Sequence, residues 1–500
     1  MERIGHYINN TIIINADNRS APVYNPASGE QTAEVELASP SEVETAVSAA
    51  AAAFESWSKT PPVVRARVLF RFRDLVETNR DDLARIITTE HGKVLSDAQG
   101  EITRGLEVVE FACGIPHVQK GEFSLNVGRE VDSFSLMQPL GVCVGITPFN
   151  FPVMVPMWMF PIAIACGNTF VLKPSEKDPS PSHKIAELLH EAGLPEGVFN
   201  IVNGDKQAVD SLLQHQHVQA VSFVGSTPIA KYIYSESSLN GKRCQALGGA
   251  KNHLVVMPDA DTSEVVNALT GSAFGSAGER CMAVSVAVCV GKKTGDRIVE
   301  ALKASSQNLK LGPGLSTESE PDLGPLITGD HKERVKNYIE SGVEQGAQLV
   351  LDGRQEEFAK SASGFYIGPT IFDSVKPTMS IYLDEIFGPV LSIVRVETME
   401  EAITLINNHQ FGNGTSIFTN DGGNARVFQE DIKIGMVGVN VPIPVPMAYH
   451  SFGGWKSSLF GPLNMHGPDG VRFFTRMKTI TSRWSEAISK RANFSMPTSD

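Results

Sequence analysis

Cysteine is scarce in this sequence, and no two cysteines have the spacing of a paired site. The 500 residues contain 6 cysteines, at positions 113, 143, 166, 244, 281 and 289. In a chain of this length, thiols scattered in this way do not predict a disulfide framework. We therefore expect a reducing environment and at most one cysteine with a chemical role.

Long hydrophobic runs are also missing. The longest apolar stretch, from Pro152 to Gly167, is broken by Pro156 and Pro161, and it is too short to cross a bilayer. The N-terminal residues from Met1 to His6 are polar and lack the apolar core of a secretory signal. We therefore expect a cytoplasmic protein with no membrane partner.

Positive charge is in deficit. Lys and Arg number 43 against 56 Asp and Glu, which gives a net charge of −13. An acidic surface disfavours binding to a phosphate backbone, so we expect no nucleic-acid partner, while a local basic pocket for a nucleotide stays compatible with this charge. The hydrophobic share of 42% and the charged share of 20% are typical of a globular chain. The length predicts two or three domains.

The sequence does contain a regular alternation of helix and strand patterns. Apolar residues three or four positions apart predict a helix over 40–57 and a long amphipathic helix over 63–110. Alternating and β-branched residues predict strands within 122–146. Over 141–257 and again over 261–440, short apolar strands alternate with helices. This pattern predicts an α/β fold with two doubly wound parallel sheets.

Individual elements can be predicted within these regions. The strands of the first alternating series are expected at 169–172, 197–202, 219–224 and 243–247. Its helices are expected near 182–192, 206–214 and 228–235. A late strand is expected at 473–482 and a polar tail at 495–500. Ligands of doubly wound sheets bind beyond the carboxyl ends of the strands, so the loops after these strands are the first places to search for function.

Cys281 is the strongest candidate for a reactive thiol. It follows Gly275-Ser-Ala-Gly-Glu-Arg, so small residues precede it and Arg280 adjoins it. Small neighbours leave room for a substrate carbonyl, and a nearby cation lowers a thiol pKa towards the reactive thiolate. From this segment alone, a buried structural cysteine is an equally open interpretation.

Polar side chains follow two of the predicted strands. Asn150, in Thr147-Pro-Phe-Asn-Phe-Pro, has an amide NH₂ that can donate to a developing oxyanion, although an Asn in a Pro-rich turn is often only a turn residue. Lys173 and Glu176 follow the next strand and can bracket the hydroxyls of an adenosine ribose. The acidic residue would repel a 2′-phosphate and favour NAD over NADP. A solvated surface pair is the alternative.

Two further segments suggest nucleotide contacts, each weakly by itself. Ser226, in Phe223-Val-Gly-Ser-Thr-Pro, opens a helix after a strand, where backbone N–H groups can face a pyrophosphate. Glu385 and Phe387 place a carboxylate and an aromatic ring two positions apart. The carboxylate can bind ribose hydroxyls and the ring can pack against a nicotinamide, although a helix cap and a core aromatic residue would give the same pattern. No Cys, His or acidic cluster has metal-ligand spacing, and His215-Gln-His217 reads as a surface loop, so we expect no metal.

Taken together and in order, these segments resemble the aldehyde dehydrogenase superfamily over essentially the whole chain. The matching segments are Asn25-Pro-Ala-Ser-Gly-Glu, Pro148-Phe-Asn-Phe-Pro, Lys173-Pro-Ser-Glu, Val224-Gly-Ser-Thr, Leu247-Gly-Gly, Gly278-Glu-Arg-Cys, Glu385-Ile-Phe-Gly-Pro and Phe452-Gly-Gly-Trp-Lys-Ser. No single segment is decisive, but the ordered set is very specific. The resemblance implies an aldehyde dehydrogenase-like α/β fold of two doubly wound domains plus a β oligomerisation element.

The resemblance also implies roles for individual residues. Cys281 would be the nucleophile, and Asn150 with the Cys281 backbone N–H would form the oxyanion hole. The implied NAD-binding residues are Thr147, Phe149, Lys173, Glu176, Lys177, Ser226, Gly248, Glu385 and Phe387. The implied domains are an NAD-binding domain (1–121 and 144–247), a catalytic domain (248–440) and oligomerisation strands (122–143 and 472–484). A homodimer or homotetramer is expected.

One position departs from the superfamily pattern. Hydrolytic members carry a glutamate before the Leu-Gly-Gly triplet, as the base for the deacylating water, and here that position is Ala246. Alanine cannot accept a proton, and losing a positioned base typically lowers a rate by about 10²–10⁴. A thioester on Cys281 therefore needs another acceptor, and a thiol such as coenzyme A would serve.

This departure, with Gly249-Ala-Lys-Asn-His and Arg-Cys-Met-Ala, resembles the CoA-acylating methylmalonate-semialdehyde dehydrogenase branch. That branch oxidises malonate and methylmalonate semialdehydes through a thioester and releases CO₂. The substrate carboxylate needs a cation, for which Arg104 and Arg280 are the candidates, although each is also compatible with an ordinary structural or surface charge.

Three alternatives stay open from the sequence. A hydrolytic NAD-dependent aldehyde dehydrogenase would use another group to activate water, and Ala246 counts against it. A CoA-independent oxidiser of glyceraldehyde phosphate or of another semialdehyde, within the same fold, would differ in its substrate profile. A binding or structural protein with the same fold would make no demand for Cys281, Asn150, Lys173 and Glu385 together.

Overall fold

The computed structural model describes residues 2–15, 19–316 and 319–484, so the tail predicted at 495–500 lies outside the described residues. Its strands fall into five sheets, two of them large. The strands are β1 (Glu2–Ile4), β2 (His6–Ile8), β3 (Thr11–Ile13), β4 (Ser20–Asn25), β5 (Glu30–Glu36), β6 (Phe123–Gly128), β7 (Val131–Pro139), β8 (Val142–Ile146), β9 (Thr169–Lys173), β10 (Phe199–Ile201), β11 (Val218–Val224), β12 (Arg243–Leu247), β13 (Asn252–Val256), β14 (Val284–Val290), β15 (Gln348–Leu351), β16 (Thr370–Asp373), β17 (Val390–Val396), β18 (Phe411–Gly412), β19 (Gly414–Phe418), β20 (Met436–Val439), β21 (Trp455–Lys456), β22 (Leu459–Phe460) and β23 (Thr475–Arg483).

The helices lie between these strands and cover the faces of the large sheets. They are α1 (Pro40–Trp57), α2 (Pro62–Thr78), α3 (Arg80–His91), α4 (Leu95–Cys113), α5 (Ile115–Val118), α6 (Met154–Ala165), α7 (Ser180–Glu191), α8 (Lys206–Gln214), α9 (Thr227–Leu239), α10 (Thr262–Phe274), α11 (Lys292–Ser306), α12 (Gly329–Glu344), α13 (Glu357–Ser361), α14 (Ser380–Leu383), α15 (Met399–Asn408), α16 (Gly422–Asp431) and α17 (Gly467–Phe473). No helix in the described ranges combines the length and the apolar character needed to cross a membrane.

The first large sheet has the strand order β22-β12-β11-β8-β9-β10-β2-β3. Its five central strands, β12 to β10 in that order, are parallel, and the outer strands are antiparallel. Strands such as β8 and β9 are buried along their whole length, as expected of a parallel sheet covered on both faces. Their carboxyl ends place the loops that follow Ile146, Lys173, Val224 and Leu247 at one edge.

The second large sheet has the order β15-β16-β17-β14-β13-β19-β20 and is parallel except for the edge strand β15. Six of its strands come from the second predicted alternating series, while β13 comes from the end of the first, so the boundary between the two series was predicted too late in the chain. The prediction of an α/β fold with two doubly wound sheets is therefore confirmed. The bounds predicted for α1, α8 and β12 also agree with the structure.

The long helix predicted over 63–110 is wrong as a single element. The chain forms α2, α3 and α4 instead, because it turns at Asn79 and again at Gly92. Gly92 has a left-handed backbone (φ 92°), and a Cβ there would lie 2.7 Å from the ring of Pro325. Periodicity alone does not mark such breaks, since all three helices keep an apolar face.

A third sheet of three antiparallel strands, in the order β23-β7-β6, stands apart from both large sheets. β23 pairs with β7 from Thr475 opposite Pro139 to Arg483 opposite Val131. Of the segments assigned to oligomerisation, residues 142–143 lie in β8 and residues 472–474 lie in or just after α17. The division of the chain into domains stays a prediction.

Helices α4 and α6 pack against each other and form one side of the site. Every residue of α6 is buried, and the helix packs against α4. The approach is close at Gly105 of α4, where a Cβ would lie 2.6 Å from Met157 Sδ. On α4, Asp97, Glu101 and Arg104 are spaced to share one face, which looks into the cavity described below.

Candidate active site

Cys281 lies at the end of a strained turn that follows α10. Ser276, Ala277 and Gly278 have consecutive left-handed φ values of 53°, 51° and 75°. Such values cost free energy in residues with a Cβ, about 1–3 kcal/mol each, and they cluster at functional sites. At Gly278 a Cβ would lie 2.3 Å from the Gly388 carbonyl oxygen, so the turn packs tightly against the loop that follows Glu385.

Cys281 lines two cavities. A small one of about 20 Å³ also has Glu385 and Phe387 in its wall. A larger one of about 570 Å³ extends over α4 and α6. Its apolar lining includes Phe151, Met154, Trp158, Met282, Ile443, Val445 and Phe452, and its charged lining is Asp97, Glu101, Arg104 and Arg280. The thiol is therefore placed between a carboxylate-bearing loop and a cavity of substrate size.

Burial, together with the carboxylate of Glu385, raises the pKa of the Cys281 thiol to about 12. Backbone N–H groups and the charge of Lys93 act in the opposite direction but do not offset these effects. The expectation that Arg280 lowers this pKa is wrong. The Arg280 guanidinium donates instead to Asp97 Oδ1 at 2.6 Å, so its charge is matched by a carboxylate of α4.

Arg104 reaches the mouth of the same cavity from α4. Its guanidinium donates to Glu107 at 2.6 Å and to the Pro446 carbonyl at 2.8 Å, and its side chain is about one-third exposed. Arg104 and Arg280 thus both line the cavity that contains Cys281, as expected of cations for a substrate carboxylate. Each already has an acidic partner, which a substrate carboxylate would have to join or displace.

Asn150 lies in the turn between β8 and α6 and is buried. Its side-chain Nδ2 donates to the Glu279 carbonyl at 2.9 Å, two residues before Cys281. An amide NH₂ carries two hydrogens, so one is free to donate to another acceptor. The turn after β8 is thereby joined to the turn that carries the nucleophile candidate.

Most of the cofactor residues expected from the sequence lie at the carboxyl edge of the first sheet, while Glu385 and Phe387 lie in the loop between α14 and β17. Lys173 Nζ donates to Glu176 at 3.3 Å at the end of β9, and Lys177 Nζ lies 4.7 Å from the centre of the Phe149 ring. The Phe149 ring in turn packs edge-on against Phe387, with centroids 5.9 Å apart. The solvated surface pair considered for Lys173 does not apply, because this lysine is buried.

The loops after β11 and β12 also lie at this edge of the sheet. Ser226 is the exposed N-cap residue of α9, and its side chain makes no capping hydrogen bond. Gly248 and Gly249 bring the chain close to its neighbours: at Gly249 a Cβ would lie 2.5 Å from Glu385 Oε2. The Ala250 N–H donates to Glu385 Oε1 at 2.9 Å, which fixes this carboxylate.

The residues present fit a dinucleotide such as NAD. Among the described residues, the hydroxyl of the buried Thr147 has no hydrogen-bond partner, and it lies in the same turn as Asn150. Lys173 and Glu176 supply the donor and acceptor that ribose hydroxyls need. Glu385, whose pKa burial raises to about 7, lines the small cavity next to Cys281. The roles of these residues stay predictions.

Several buried polar residues of the site were missed by the sequence analysis. Glu279 is fully buried, which raises its pKa to about 8, and its carboxylate oxygens lie 3.9 and 3.6 Å from the Nε2 atoms of His91 and His331. His331 donates from Nε2 to the Phe387 carbonyl at 2.7 Å. Lys93 contacts Asn150. These residues lie far apart in sequence. The one local signal that could have indicated them was Glu279, two positions before Cys281.

His6, Glu36 and Glu42 form the one potential metal-ligand group found among the described residues, with ligand atoms within 4.8 Å of one another. The Asn203 N–H donates to His6 Nδ1, so a neutral His6 carries its proton on Nε2, the atom that faces the carboxylates. A protonated nitrogen cannot ligate a metal. His6 Nε2 lies 3.9 and 3.7 Å from Glu36 and Glu42, beyond hydrogen-bond distance, so the group is better described as a histidine packed against two carboxylates.

Comparisons with known proteins were consistent over nearly the whole chain. Residues 13–480 match the aldehyde dehydrogenase family. The malonate-semialdehyde dehydrogenase of Pseudomonas aeruginosa is 57% identical over 99% of this chain and 100% of its own. Malonate-semialdehyde dehydrogenase 2 of Geobacillus kaustophilus is 50% identical over 97% of this chain and 99% of its own.

Solved structures agree with these relatives. The methylmalonate-semialdehyde dehydrogenase of Oceanimonas doudoroffii has a TM-score of 0.96 and 58% identity, covering 97% of this chain and 99% of its own. A protein of Sinorhizobium meliloti assigned as a methylmalonate-semialdehyde dehydrogenase, solved with NAD, has a TM-score of 0.96 and 53% identity, covering 98% of this chain and 99% of its own.

Proposed function

Because the chain belongs to the aldehyde dehydrogenase family, we propose that it oxidises malonate and methylmalonate semialdehydes with NAD⁺ and transfers the acyl group to coenzyme A. The products would be acetyl-CoA and propionyl-CoA, with release of CO₂. One observation carries the proposal: Cys281 lies between the cavity wall formed by Glu385 and Phe387 and a cavity that contains Arg104 and Arg280. Glu385 and Phe387 would contact a nicotinamide riboside, and the larger cavity has the size for a carboxylated aldehyde.

The first step forms a covalent bond between Cys281 and the substrate. The sulfur attacks the aldehyde carbonyl while the thiol proton passes to solvent, and the carbonyl oxygen becomes an oxyanion. Asn150 Nδ2 and the Cys281 backbone N–H would donate to that oxygen, and donors of this kind contribute about 10²–10³ in rate. Arg104 and Arg280, which line the same cavity, would hold the substrate carboxylate.

NAD⁺ would supply the hydride acceptor for the tetrahedral intermediate held on Cys281. Lys173 and Glu176 would hold its adenosine ribose, Ser226 its pyrophosphate, and Glu385 with Phe387 its nicotinamide riboside. The turn residues Thr147 and Phe149, with Lys177 and Gly248, would line the rest of the site. The protein's contribution here is orientation, because the hydride must reach the cofactor from the carbon that Cys281 holds.

The resulting thioester carries a carboxylate in the β position. Its C–C bond can break to release CO₂, because the thioester carbonyl accepts the electron pair as an enolate, which then takes up a proton. An acyl group without a carboxylate is left on Cys281. The thiol of coenzyme A then attacks the thioester carbonyl, and Cys281 leaves as the free thiol.

Transfer to coenzyme A rather than to water is supported by residue 246 and by the two carboxylates that line the larger cavity. Ala246 is fully buried in β12. Asp97 is bound by Arg280, whose charge helps to lower the pKa of this carboxyl group, so it is a poor base. Glu101 accepts hydrogen bonds from Lys93 and from two backbone N–H groups. Neither carboxylate is available to activate water.

The test is NADH production by the purified enzyme with malonate semialdehyde and NAD⁺, with coenzyme A present or absent. We expect sustained turnover with coenzyme A and acetyl-CoA as product. Without it, a single burst of NADH equal to the concentration of sites is expected. Cys281→Ala is the control and should give no burst. Full turnover without coenzyme A, with free acid as product, would instead establish the hydrolytic alternative and a base other than residue 246.

We also propose that the enzyme is a cytoplasmic homodimer or homotetramer. The three-stranded sheet of β6, β7 and β23 exposes large apolar side chains, among them Phe123 and Met477, which are 63% and 65% exposed. Exposed apolar groups concentrated on one sheet are typical of a subunit interface. Sedimentation velocity would measure the assembly directly.

A further inference from the structure

A buried ion pair lies directly behind the turn that carries Asn150. Lys93, between α3 and α4, and Glu101, on α4, have side chains with no exposed surface. Lys93 Nζ donates to Glu101 Oε2 at 2.8 Å. Removing two charges from water costs several kcal/mol per ion, and an apolar pair of similar volume often stabilises a protein as well or better. The pair is therefore poorly explained by stability alone.

Lys93 and Glu101 each form hydrogen bonds with the backbone of the same turn. Lys93 Nζ donates to the Asn150 backbone carbonyl at 2.6 Å and lies 4.3 Å from the centre of the Phe151 ring. Glu101 Oε1 accepts from the backbone N–H groups of Val153 and Met154 at 2.8 and 3.0 Å. These N–H groups open α6, and a helix N-terminus favours a carboxylate.

These hydrogen bonds from Lys93 and Glu101 define the orientation of Asn150. The turn between β8 and α6 is fixed on its N-terminal side where Ile146 ends the strand, and the Lys93–Glu101 pair fixes residues 150 to 154. With its backbone held, the Asn150 side chain keeps one hydrogen on the Glu279 carbonyl and directs its amide towards the nucleophile turn. Without the pair, the carbonyl of Asn150 would lose its charged donor.

We propose that Lys93 and Glu101 are positioning residues that hold Asn150 in the orientation in which it donates to the oxyanion. The proposal rests on the oxyanion role proposed above for Asn150. Neither residue needs to touch the substrate through its charged group, since both act through the backbone of the turn. The charge of Lys93 also slightly favours the Cys281 thiolate, which would add to the same effect on the first step.

The test is a double-mutant cycle on the rate of the first-turnover NADH burst. We expect Asn150→Ala to slow the burst by about 10²–10³. Lys93→Met should slow it by about 10²-fold and change the KM for malonate semialdehyde by less than about threefold. Because the lysine acts through Asn150, adding Lys93→Met to Asn150→Ala should slow the burst by no more than a further factor of about 3.

A lysine with a merely structural role would give a different result. Its effect would multiply with that of Asn150→Ala, or would be missing from the burst rate, and either outcome would overturn the proposal. An Asn150→Ala enzyme with an undiminished burst would instead refute the oxyanion role itself. The two failures are therefore distinguishable.

Lys242→Met is the matched control. Lys242 is also a buried lysine, and its Nζ donates to the carbonyls of His215 and Val218 at 2.6 and 2.9 Å, away from both cavities. We expect this variant to lower the melting temperature but not the burst rate. If Lys93→Met does not fold, Glu101→Gln enters the same cycle, because glutamine keeps an acceptor for Val153 and Met154 and removes only the charge that holds Lys93. For this variant we expect about a tenfold slower burst, again without effect in the Asn150→Ala background.

Discussion

The thiol of Cys281 and the carboxylate of Glu385 share one small cavity, and the carboxylate raises the pKa of the thiol. Burial of Glu385 in turn raises its own pKa to about 7, so its charge develops around neutral pH. The free enzyme therefore keeps its nucleophile as a protonated thiol. Such a thiol resists oxidation and alkylation until substrate and cofactor change its surroundings.

Glu385→Gln should make the thiol of the free enzyme more reactive. Its pKa lies above neutral, so the alkylation rate by iodoacetamide should rise with pH in both proteins. Removing the carboxylate removes one cause of the raised pKa, so we expect about a threefold to tenfold faster reaction. The gain should be larger at pH 9, where Glu385 is ionised, than at pH 6. Cys281→Ala gives the background from the other cysteines, and an equal gain over the wild type at both pH values would contradict this electrostatic coupling.

Gly249→Ala should weaken use of the cofactor. A Cβ at this position would lie 2.5 Å from Glu385 Oε2, so the carboxylate must move from its place beside the cavity. We expect a KM for NAD⁺ raised by about tenfold or more and a slower NADH burst. Gly271→Ala in α10 is the control, since a Cβ there meets nothing within 4 Å. That change should leave the kinetics unaltered and raise the free energy of unfolding by up to about 1 kcal/mol.

Arg104→Leu should affect carboxylated substrates selectively. Arg104 lines the cavity next to Cys281, and its loss removes a cation there. We expect the KM for malonate semialdehyde to rise by at least about tenfold, while the KM for propanal changes by less than about twofold. Arg426→Leu removes an exposed ion pair with Glu430 and should change neither value. Equal effects of Arg104→Leu on both substrates would remove the proposed role.

Glu176→Ala should relax the preference for NAD⁺ over NADP⁺. Glu176 pairs with Lys173 at the end of β9, and it would repel a 2′-phosphate. We expect the ratio of kcat/KM values for the two cofactors to fall by about tenfold or more. Glu187→Ala is matched to it, because Glu187 makes the same type of pair with Lys184 on the surface of α7. An unchanged cofactor ratio in Glu176→Ala would exclude contact with the ribose.

Phe123→Asp should dissociate the assembly. The side chain is 63% exposed on the three-stranded sheet, and a carboxylate there would be buried in a subunit interface. Sedimentation velocity should show a smaller species than the wild type at the same concentration. Leu239→Asp changes a side chain that is 80% exposed at the end of α9 and should leave the assembly intact. Identical sedimentation of all three proteins would place the interface elsewhere.

The sequence predicted the elements best where one physical signal was sufficient. α1 begins at Pro40 with a capping box from Ser39 and Glu42, and its apolar spacing is regular, so both ends could be found. The strands of the parallel sheets are short apolar runs between turns. The break at Gly92 was missed, because a glycine within a helical pattern marks a helix end only when the tertiary structure uses its left-handed backbone.

The site was predictable where residues lie next to one another in a motif. Cys281, Asn150, Lys173 and Glu385 each stand in a recognisable segment. By contrast, Lys93 and His331 become part of the site only through the packing of α4, α6 and α12. A buried lysine has no local signature, since its partners come from distant parts of the chain. The electrostatic effect of Arg280 was wrongly predicted for the same reason, as its partner Asp97 lies 183 positions away.

The left-handed turn before Cys281 also shapes which substitutions this protein can accept. Ser276 and Ala277 hold backbone conformations that side chains with a Cβ disfavour, and β-branched residues disfavour them most. In a library of all single substitutions selected for activity, Gly and Asn should therefore be enriched at position 277, while Val, Ile and Thr should be depleted. The turn would appear as a short stretch of low mutational tolerance that begins before the nucleophile, at residues that need not touch the substrate.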